Sequence, residues 1–265
     1  MSSPPLVRPL PVRPPHPLVC SGLRKQYGAT VALDGLDLVV REGTIHGLVG
    51  PNGSGKTTAI RCVTGLARPD AGSVRICGES GKDERSRRKL ALVPDEPVGL
   101  DELVVAEFLE LLRSLHRAPS AYGQRAAALL ALTPLRDRRH APLGSLSRGL
   151  RRLVAVVGAL VLAPPLLVVD EATAALDPEA IVVLREGLRA AAARGGGVLL
   201  ATQDLAFAEA VCDDVTLLRC GATAAAGPVG DVVAAHGATT LEGAFLAAIG
   251  GARLETAVHE ALGAR

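Results

Sequence analysis

The sequence predicts an α/β fold that combines a mainly parallel sheet, a small antiparallel β subdomain and an inserted α-helical subdomain. A glycine-rich stretch at 50–58 stands between an apolar run typical of a buried strand and a predicted helix. Two more apolar runs, at 166–169 and 198–201, are typical of parallel strands that are buried on both faces. A predicted helix at 178–194 separates them, and strands that alternate with helices favour a doubly wound sheet.

Short alternating runs between residues 18 and 49 predict the antiparallel strands of the small subdomain. Turn-forming residues separate these runs at Gly28, at 34–35 and at 42–43. Another strand is predicted at 72–76, beyond the glycine-rich stretch and its helix. The N-terminal part of the chain therefore has the pattern of a small sheet beside the larger one.

A long helical insertion is predicted after a core strand at 90–93. Apolar residues recur at helical spacing between residues 108 and 115, and the stretch 126–132 favours a helix. Residues 101–162 are therefore predicted to be predominantly helical, and we expect the inserted subdomain at about 96–160.

The two ends of the chain differ from its main domain, which we expect at 18–250. Residues 1–17 contain seven prolines and no hydrophobic period, so they predict a flexible, polyproline-like tail. A ligand for a proline-binding groove is the alternative interpretation of this tail. Residues 251–265 are expected to form a helical tail, and the charged stretch at 81–89 is expected to be a solvated surface.

The stretch at 50–58 matches the phosphate-binding pattern G-x-x-x-x-G-K-[ST]. Its residues are Gly50, Pro51, Asn52, Gly53, Ser54, Gly55, Lys56, Thr57 and Thr58. The glycines allow successive N–H groups to converge on an anion, and the N-terminus of the following helix favours negative charge. Lys56 suits the β- and γ-phosphates, and the Thr57 hydroxyl suits Mg²⁺. The loop predicts binding of a nucleoside triphosphate with Mg²⁺.

Two carboxylates, Asp170 and Glu171, stand at the end of the apolar run at 166–169. The carboxyl ends of parallel strands are where ligands of such sheets bind. Asp170 is expected in the Mg²⁺ shell, directly or through water. Glu171 is expected to act as general base toward a water that attacks the γ-phosphate.

Composition limits the class of protein. The chain has 265 residues with 48% hydrophobic residues, enough for a sizeable core, and its net charge of +2 gives no field that favours nucleic acid as a partner. Its five cysteines show no metal-ligand spacing and fit reduced thiols. No apolar run reaches the length of a membrane span. If the protein serves a membrane, we expect a partner chain to supply the span.

Three further motifs resemble those of ABC-transporter ATPases. Residues 146–150, Leu-Ser-Arg-Gly-Leu, are similar to the signature motif, and 175–177, Ala-Leu-Asp, are similar to the D-loop. Tyr27 matches the aromatic residue that stacks on adenine. The resemblance covers about residues 18–250 and implies a P-loop NTPase (RecA-like) core that binds ATP.

The resemblance implies two partners. One is a second ATP-binding domain in a head-to-tail dimer, so that Ser147 and Gly149 of the signature contact the ATP held by the phosphate loop of the other domain. The other is an integral-membrane permease on a separate chain, received by the groove near Asp95 and the helix at 101–117. The protein is then expected to be cytoplasmic and peripheral on the inner face of the membrane. Residues 240–245 are similar to the tail motif of drug- and lipid-exporting members.

Some residues depart from the family pattern. Gln203 stands where the resemblance leads us to expect the switch histidine, and it cannot carry a positive charge. Asp95 stands where Gln or Glu is expected; it could still touch Mg²⁺ through water. Other departures are Arg148 and Leu150 in the signature, Ala172 after Glu171, and Leu153 and Gly158 at positions where arginine is usual.

These observations lead to two hypotheses of function. The first is an ATP-hydrolysing subunit of an ABC-type export system that turns over slowly because of Gln203 and Asp95. The second is an ATP-binding, nearly non-hydrolysing regulatory or partner subunit of an ABC assembly. A soluble ABC ATPase of translation or DNA repair is disfavoured, because the chain has one phosphate loop and no long coiled coil.

Overall fold

The computed structural model describes residues 16–96, 100–171 and 173–249. Most of the tail predicted at 1–17, and all of the tail predicted at 251–265, lie outside the described residues. Pro17 is buried, and its carbonyl accepts a hydrogen bond of 3.1 Å from the Cys77 N–H. The packed part of the chain therefore includes this proline.

Strands and helices alternate through most of the described residues. The strands are β1 (Leu18–Tyr27), β2 (Thr30–Val40), β3 (Ile45–Val49), β4 (Ala71–Ile76), β5 (Glu79–Ser80), β6 (Leu90–Val93), β7 (Leu166–Asp170), β8 (Gly197–Thr202), β9 (Asp214–Arg219) and β10 (Ala222–Pro228). The helices are α1 (Lys56–Thr64), α2 (Glu84–Arg87), α3 (Val105–Leu115), α4 (Ala121–Leu130), α5 (Arg148–Leu162), α6 (Pro178–Ala193), α7 (Leu205–Val211), α8 (Val229–Ala235) and α9 (Leu241–Ala248). A 3₁₀ turn at Leu143–Ser145 precedes α5.

The strands form two sheets, as the sequence predicts. The small antiparallel sheet has the order β2-β1-β4-β5. The large sheet has the order β10-β9-β3-β8-β7-β6, with β9, β3, β8, β7 and β6 parallel and β10 antiparallel at one edge. All residues of β3, β7 and β8 are buried, which confirms that their continuous apolar runs are strands covered on both faces.

The predicted turn at 34–35 is wrong. β2 continues through this point, and its pairing with β1 shifts by one residue between the partners Leu23–Leu36 and Arg24–Asp34. Gly35 is the extra residue, with φ at 81°, so it forms a bulge within the strand. A glycine that permits positive φ serves a bulge as well as a turn, and the sequence alone does not distinguish the two.

The predicted helical insertion is confirmed. α3, α4 and α5 pack around a shared apolar core that contains Phe108, Tyr122 and Leu153. Gly158 of α5 lies against this core, where a Cβ would overlap the Leu112 side chain, and its carbonyl accepts a 3.2 Å hydrogen bond from the Tyr122 hydroxyl. The Leu112 side chain thus occupies the space that a larger residue would need, which gives the departure at Gly158 a packing reason.

The fold brings several strand ends to one edge of the large sheet. The phosphate loop follows β3, Asp170 ends β7, and Thr202 ends β8. Asp95 lies two residues after β6. Because these strands are parallel and adjacent, their carboxyl ends place the predicted site residues close together.

Candidate nucleotide-binding site

The phosphate loop connects β3 to α1 with backbone conformations that glycine permits. Gly53 and Gly55 have φ of 78° and 112°, and Gly55 precedes α1 without a capping side chain. A Cβ on Gly50 would overlap the Leu218 carbonyl oxygen. The first N–H groups of α1 therefore have no side-chain cap and can receive an anion.

Lys56 is the first residue of α1 and is only 5% exposed. Its ammonium donates hydrogen bonds to the Gly50 carbonyl at 2.7 Å and to the Pro51 carbonyl at 3.1 Å. The same Nζ lies 3.0 Å from Glu171 Oε1 in a charge–charge contact that lacks hydrogen-bond alignment. The positive charge is thus held at the loop, beside the carboxylate at the end of β7.

Glu171 has an unusual backbone conformation for a residue with a side chain. Its φ is 48°, in the left-handed region, and its N–H donates to the Ala201 carbonyl at 2.9 Å. Its Oε2 accepts a hydrogen bond from the Gln203 N–H at 3.2 Å. The carboxylate therefore lies between Lys56 and the end of β8.

Asp170 is 4% exposed, and its Oδ1 has no hydrogen-bond partner. Burial, followed by the negative charges of Glu171 and Asp95, raises the pKa of the Asp170 carboxyl to about 6, and a hydrogen bond with the Thr57 hydroxyl opposes this shift. A buried carboxylate oxygen without a partner, beside a hydroxyl, is the donor chemistry that suits Mg²⁺. The residues present fit the predicted cation.

Asp95 has arginine partners in this structure. Its carboxylate and carbonyl both accept hydrogen bonds from Arg152, and its Oδ1 lies 3.5 Å from Arg148. Glu96 also approaches Arg148, at 3.7 Å. A role of Asp95 in binding Mg²⁺ stays a prediction.

The signature residues begin α5. The Ser147 hydroxyl caps this helix by accepting a 3.3 Å hydrogen bond from the Leu150 N–H. Gly149 packs directly against the Ala175 carbonyl oxygen, which a Cβ would overlap. The signature and the D-loop of one chain are therefore in direct contact, and this contact gives Gly149 a packing role besides its predicted contact with ATP.

Tyr27 lies at the end of β1, outside this cluster. Its side chain is 46% exposed, and the Lys25 ammonium lies 5.3 Å from the ring centroid. The neighbouring strand β2 reaches the phosphate loop, because the Ala32 carbonyl lies beside Gly55. An exposed ring can stack on a base, and the stacking of Tyr27 on adenine stays a prediction.

The structure thus brings five predicted site residues close together: Lys56, Thr57, Asp170, Glu171 and the backbone of Gln203. The Gln203 residue itself is exposed. Ala172 lies outside the described residues. The sequence interpretation missed Arg152, whose fully buried guanidinium contacts Asp95 and the segment after β7.

A family model described as ABC transporter matches residues 33–174, more than half of the chain. The chain belongs to the ABC transporter family. The matched range includes the phosphate loop, the signature and the acidic end of β7. The chain is therefore an ATP-binding ATPase domain of this family.

Two bacterial ATP-binding proteins are among the relatives of this chain. Over 213 residues the ABC domain is 38% identical to the Nod factor export ATP-binding protein I of Ralstonia nicotianae; the match covers 79% of this chain and 66% of that protein. It spans just under two thirds of that relative's length. Over 228 residues the chain is 33% identical to the daunorubicin resistance ATP-binding protein DrrA3 of Streptomyces coeruleorubidus, and this match covers 85% of the chain and 72% of that protein.

Solved structures agree with the fold. The structure of an ATP binding subunit of an ABC transporter superposes with a TM-score of 0.83 at 33% identity, covering 88% of this chain and 99% of that one. A cbiO1 structure from Clostridium perfringens, described as part of the cbiONQ transporter complex, has a TM-score of 0.68 at 24% identity, covering 83% of this chain and 91% of that one. The second likeness shows the fold alone.

No helix within 16–96, 100–171 and 173–249 has the length and hydropathy needed to cross a lipid bilayer.

Proposed function

We propose that this ABC domain is the ATP-hydrolysing subunit of an export system, works on a permease carried by a separate chain, and turns over slowly. The observation that carries the proposal is the cluster at the strand ends, where Lys56, Asp170 and Glu171 meet beside the uncapped start of α1. A cation, a buried carboxyl that can bind Mg²⁺ and a second carboxylate at one anion-binding loop suit phosphoryl transfer.

The roles of the clustered residues follow from their chemistry. Thr57 and Asp170, with Asp95 through water, would hold Mg²⁺, which supplies positive charge to the β- and γ-phosphates. The N–H groups of the loop and the Lys56 ammonium would bind the phosphates. The Glu171 carboxylate would accept the proton of the attacking water, and Gln203 could orient that water by a hydrogen bond.

Slow turnover follows from two residues. Gln203 is neutral, so it cannot place a positive charge at the γ-phosphate. Asp95 is engaged by Arg152 and Arg148, so a role in holding the cation requires it to exchange these partners. Loss of one electrostatic contact of this kind costs about 10²–10³ in rate.

Head-to-tail pairing would complete the site. Ser147 and Gly149 stand at the N-terminus of α5, a 15-residue helix. The hydroxyl and the first N–H groups of that helix suit a γ-phosphate held by a second ATP-binding domain. Ser147 would then exchange its present capping bond to the Leu150 N–H for the phosphate.

A groove suits the permease. A cavity of 320 Å³ lies between β6, α3 and α5, with an apolar floor that includes Phe108 and Leu112 and with the acidic residues Glu96 and Asp101 among its lining. A short amphipathic segment of a membrane protein would fit this chemistry. Similarity to a Nod factor export protein and to a daunorubicin resistance protein, together with the exporter-like motif at 240–245 at the start of α9, supports export as the direction of transport.

The proposal is tested by measuring ATP affinity and steady-state hydrolysis together, for the wild type and for Glu171→Gln. We expect micromolar binding by both proteins, with hydrolysis at least 10²-fold slower in the variant because the general base is lost. Glu179→Gln, on the exposed first turn of α6, is the matched control and should hydrolyse ATP at the wild-type rate. Rapid hydrolysis that Glu171→Gln leaves unchanged would contradict both the base assignment and the slow turnover.

The second candidate is a nearly non-hydrolysing regulatory or partner subunit of an ABC assembly. The arginine partners of Asp95 and the exposed Gln203 favour it. Micromolar ATP binding by the wild type without measurable hydrolysis, even with a permease present, would select this candidate over the first.

A further inference from the structure

Arg152 is a fully buried arginine beneath the nucleotide site. Its Nη1 donates to the Glu171 carbonyl at 2.7 Å and to the Ala174 carbonyl at 2.6 Å. Its Nη2 donates to the carbonyl and to the carboxylate of Asp95. One guanidinium therefore joins α5 to the segment after β6 and to the segment after β7.

Such burial is costly unless the charge is well paired. Moving an ion out of water costs several kcal/mol of desolvation free energy. The planar guanidinium fork offsets this cost only when hydrogen-bond acceptors are in place for its N–H groups. Here three carbonyls and one carboxylate accept from the two Nη atoms, while Nε has no partner. The arrangement is thus specific for a guanidinium, since an ammonium is a point charge without this fork.

The acceptor at Glu171 is the carbonyl of a residue in a disfavoured conformation. A residue other than glycine at φ of 48° costs about 1 kcal/mol or more, and it persists only where its surroundings fix it. Three bonds hold its backbone: its N–H donates to the Ala201 carbonyl, and its carbonyl accepts from Arg152 at 2.7 Å and, less closely, from the Ala174 N–H at 3.3 Å. This conformation directs the side chain to Lys56 and to the Gln203 N–H.

We infer that Arg152 is a positioning residue for ATP hydrolysis, which fixes the backbone of Glu171 so that its carboxylate reaches the reacting water. The inference rests on the proposed role of Glu171 as general base. Leu153, where arginine is usual in the family, belongs instead to the apolar core of the helical subdomain. Arg152, one residue earlier, donates instead to the carbonyl of Glu171 at the end of β7.

The test compares Arg152→Lys with Arg151→Lys. Arg151 directly precedes Arg152 on α5 and pairs with Asp101 at 3.1 Å, in the helical subdomain. In Arg152→Lys the ammonium cannot bond the acceptors after β6 and those after β7 at once, so we expect kcat to fall about 10²-fold, as misplacement of a catalytic group by about 1 Å does. The ATP Kd should change by less than about threefold, and Arg151→Lys should match the wild type in both quantities.

A double-mutant cycle separates positioning from a merely structural role. If Arg152 acts through Glu171, Arg152→Lys should not slow the residual hydrolysis of Glu171→Gln any further. A further loss of similar size in the double variant would overturn the inference, and so would an unchanged kcat in the single variant. If Arg152→Lys does not fold, Arg152→Gln replaces it, and unfolding of both would assign Arg152 to the fold alone and overturn the inference.

The same series distinguishes failure of the inference from failure of the proposed function. When Glu171→Gln slows hydrolysis and Arg152→Lys does not, the inference alone fails. When Glu171→Gln leaves hydrolysis unchanged, or the wild type does not hydrolyse ATP, the proposed function fails and the inference fails with it.

Discussion

Lys56 and Glu171 form an ion pair across the space between the phosphate loop and the end of β7, with Nζ 3.0 Å from Oε1. Both side chains are largely buried, at 5% and 14% exposure. The same ammonium bonds the Gly50 and Pro51 carbonyls. A phosphate that binds Lys56 must therefore compete with a carboxylate of the site itself.

Glu171→Gln should therefore bind ATP more tightly than the wild type. Removing the competing negative charge frees Lys56 for phosphate, which is worth about 1 kcal/mol, or roughly fivefold in Kd. The measurement is equilibrium binding of a fluorescent ATP analogue at low protein concentration. Weaker binding by the variant, with an intact fold, would show that the pair does not oppose phosphate.

Gly149→Ala should destabilise the domain. A Cβ at this position overlaps the Ala175 carbonyl oxygen, and a backbone atom cannot move aside as a flexible side chain can. We expect a loss of about 1–3 kcal/mol in the free energy of unfolding, measured by denaturant titration. Gly123→Ala in α4 is the control: its Cβ would meet nothing within 4 Å, so it should gain about 0.5–1 kcal/mol.

Gln203→His should raise the steady-state rate of ATP hydrolysis. Imidazole can place a positive charge or a donor at the γ-phosphate, which the neutral amide cannot do. We expect a gain of roughly tenfold in kcat. Gln203→Ala should not show this gain, and equal rates for the His and Ala variants would remove Gln203 as a cause of slow turnover.

Acid should destabilise the domain through His46. This residue of β3 is 6% exposed, its Nε2 lies 2.9 Å from Thr216 Oγ1, and burial lowers the pKa of its imidazole to about 4, although Asp214 acts in the opposite direction. The ring stays neutral in the folded state, whereas it becomes protonated in the unfolded state below about pH 6.5. The contribution of His46 to the free energy of unfolding is therefore fully present above about pH 6.5 and is lost as the pH falls toward about 4.

The magnitude can be checked with a neutral variant. Between about pH 7.5 and pH 5, His46 should remove about 2 kcal/mol from the free energy of unfolding. His46→Gln can still bond Thr216 but does not titrate, so its unfolding free energy should fall less over the same range. Parallel pH dependence in the two proteins would contradict the assignment.

The sequence predicted those parts of the site that depend on short local patterns. The phosphate loop and the pair Asp170 and Glu171 each occupy a few consecutive residues next to an apolar run, so spacing alone places them at strand ends. The contact of Lys56 with Glu171 depends in addition on the strand order, since β8 lies between β3 and β7 and all three parallel strands end at the same edge.

Other features depend on tertiary packing and could not be predicted from spacing. Arg152 of α5 donates to acceptors in two distant segments, one after β6 and one after β7, and no pattern in the sequence connects them. β10 is rich in alanine, which has low preference for strands, and it forms because it pairs with β9. β9 itself carries the apolar residues Val215, Leu217 and Leu218, a short signal that could have identified it.

At position 171 the backbone conformation favours glycine, whereas the proposed reaction requires a carboxylate side chain. Glycine would adopt a φ of 48° without steric cost, which favours Glu171→Gly on backbone grounds, whereas loss of the ion pair with Lys56 opposes it. A glycine at this position would in either case lack the carboxylate at the end of β7. Engineering of this domain for robustness therefore has to hold residue 171 fixed and seek its gains elsewhere.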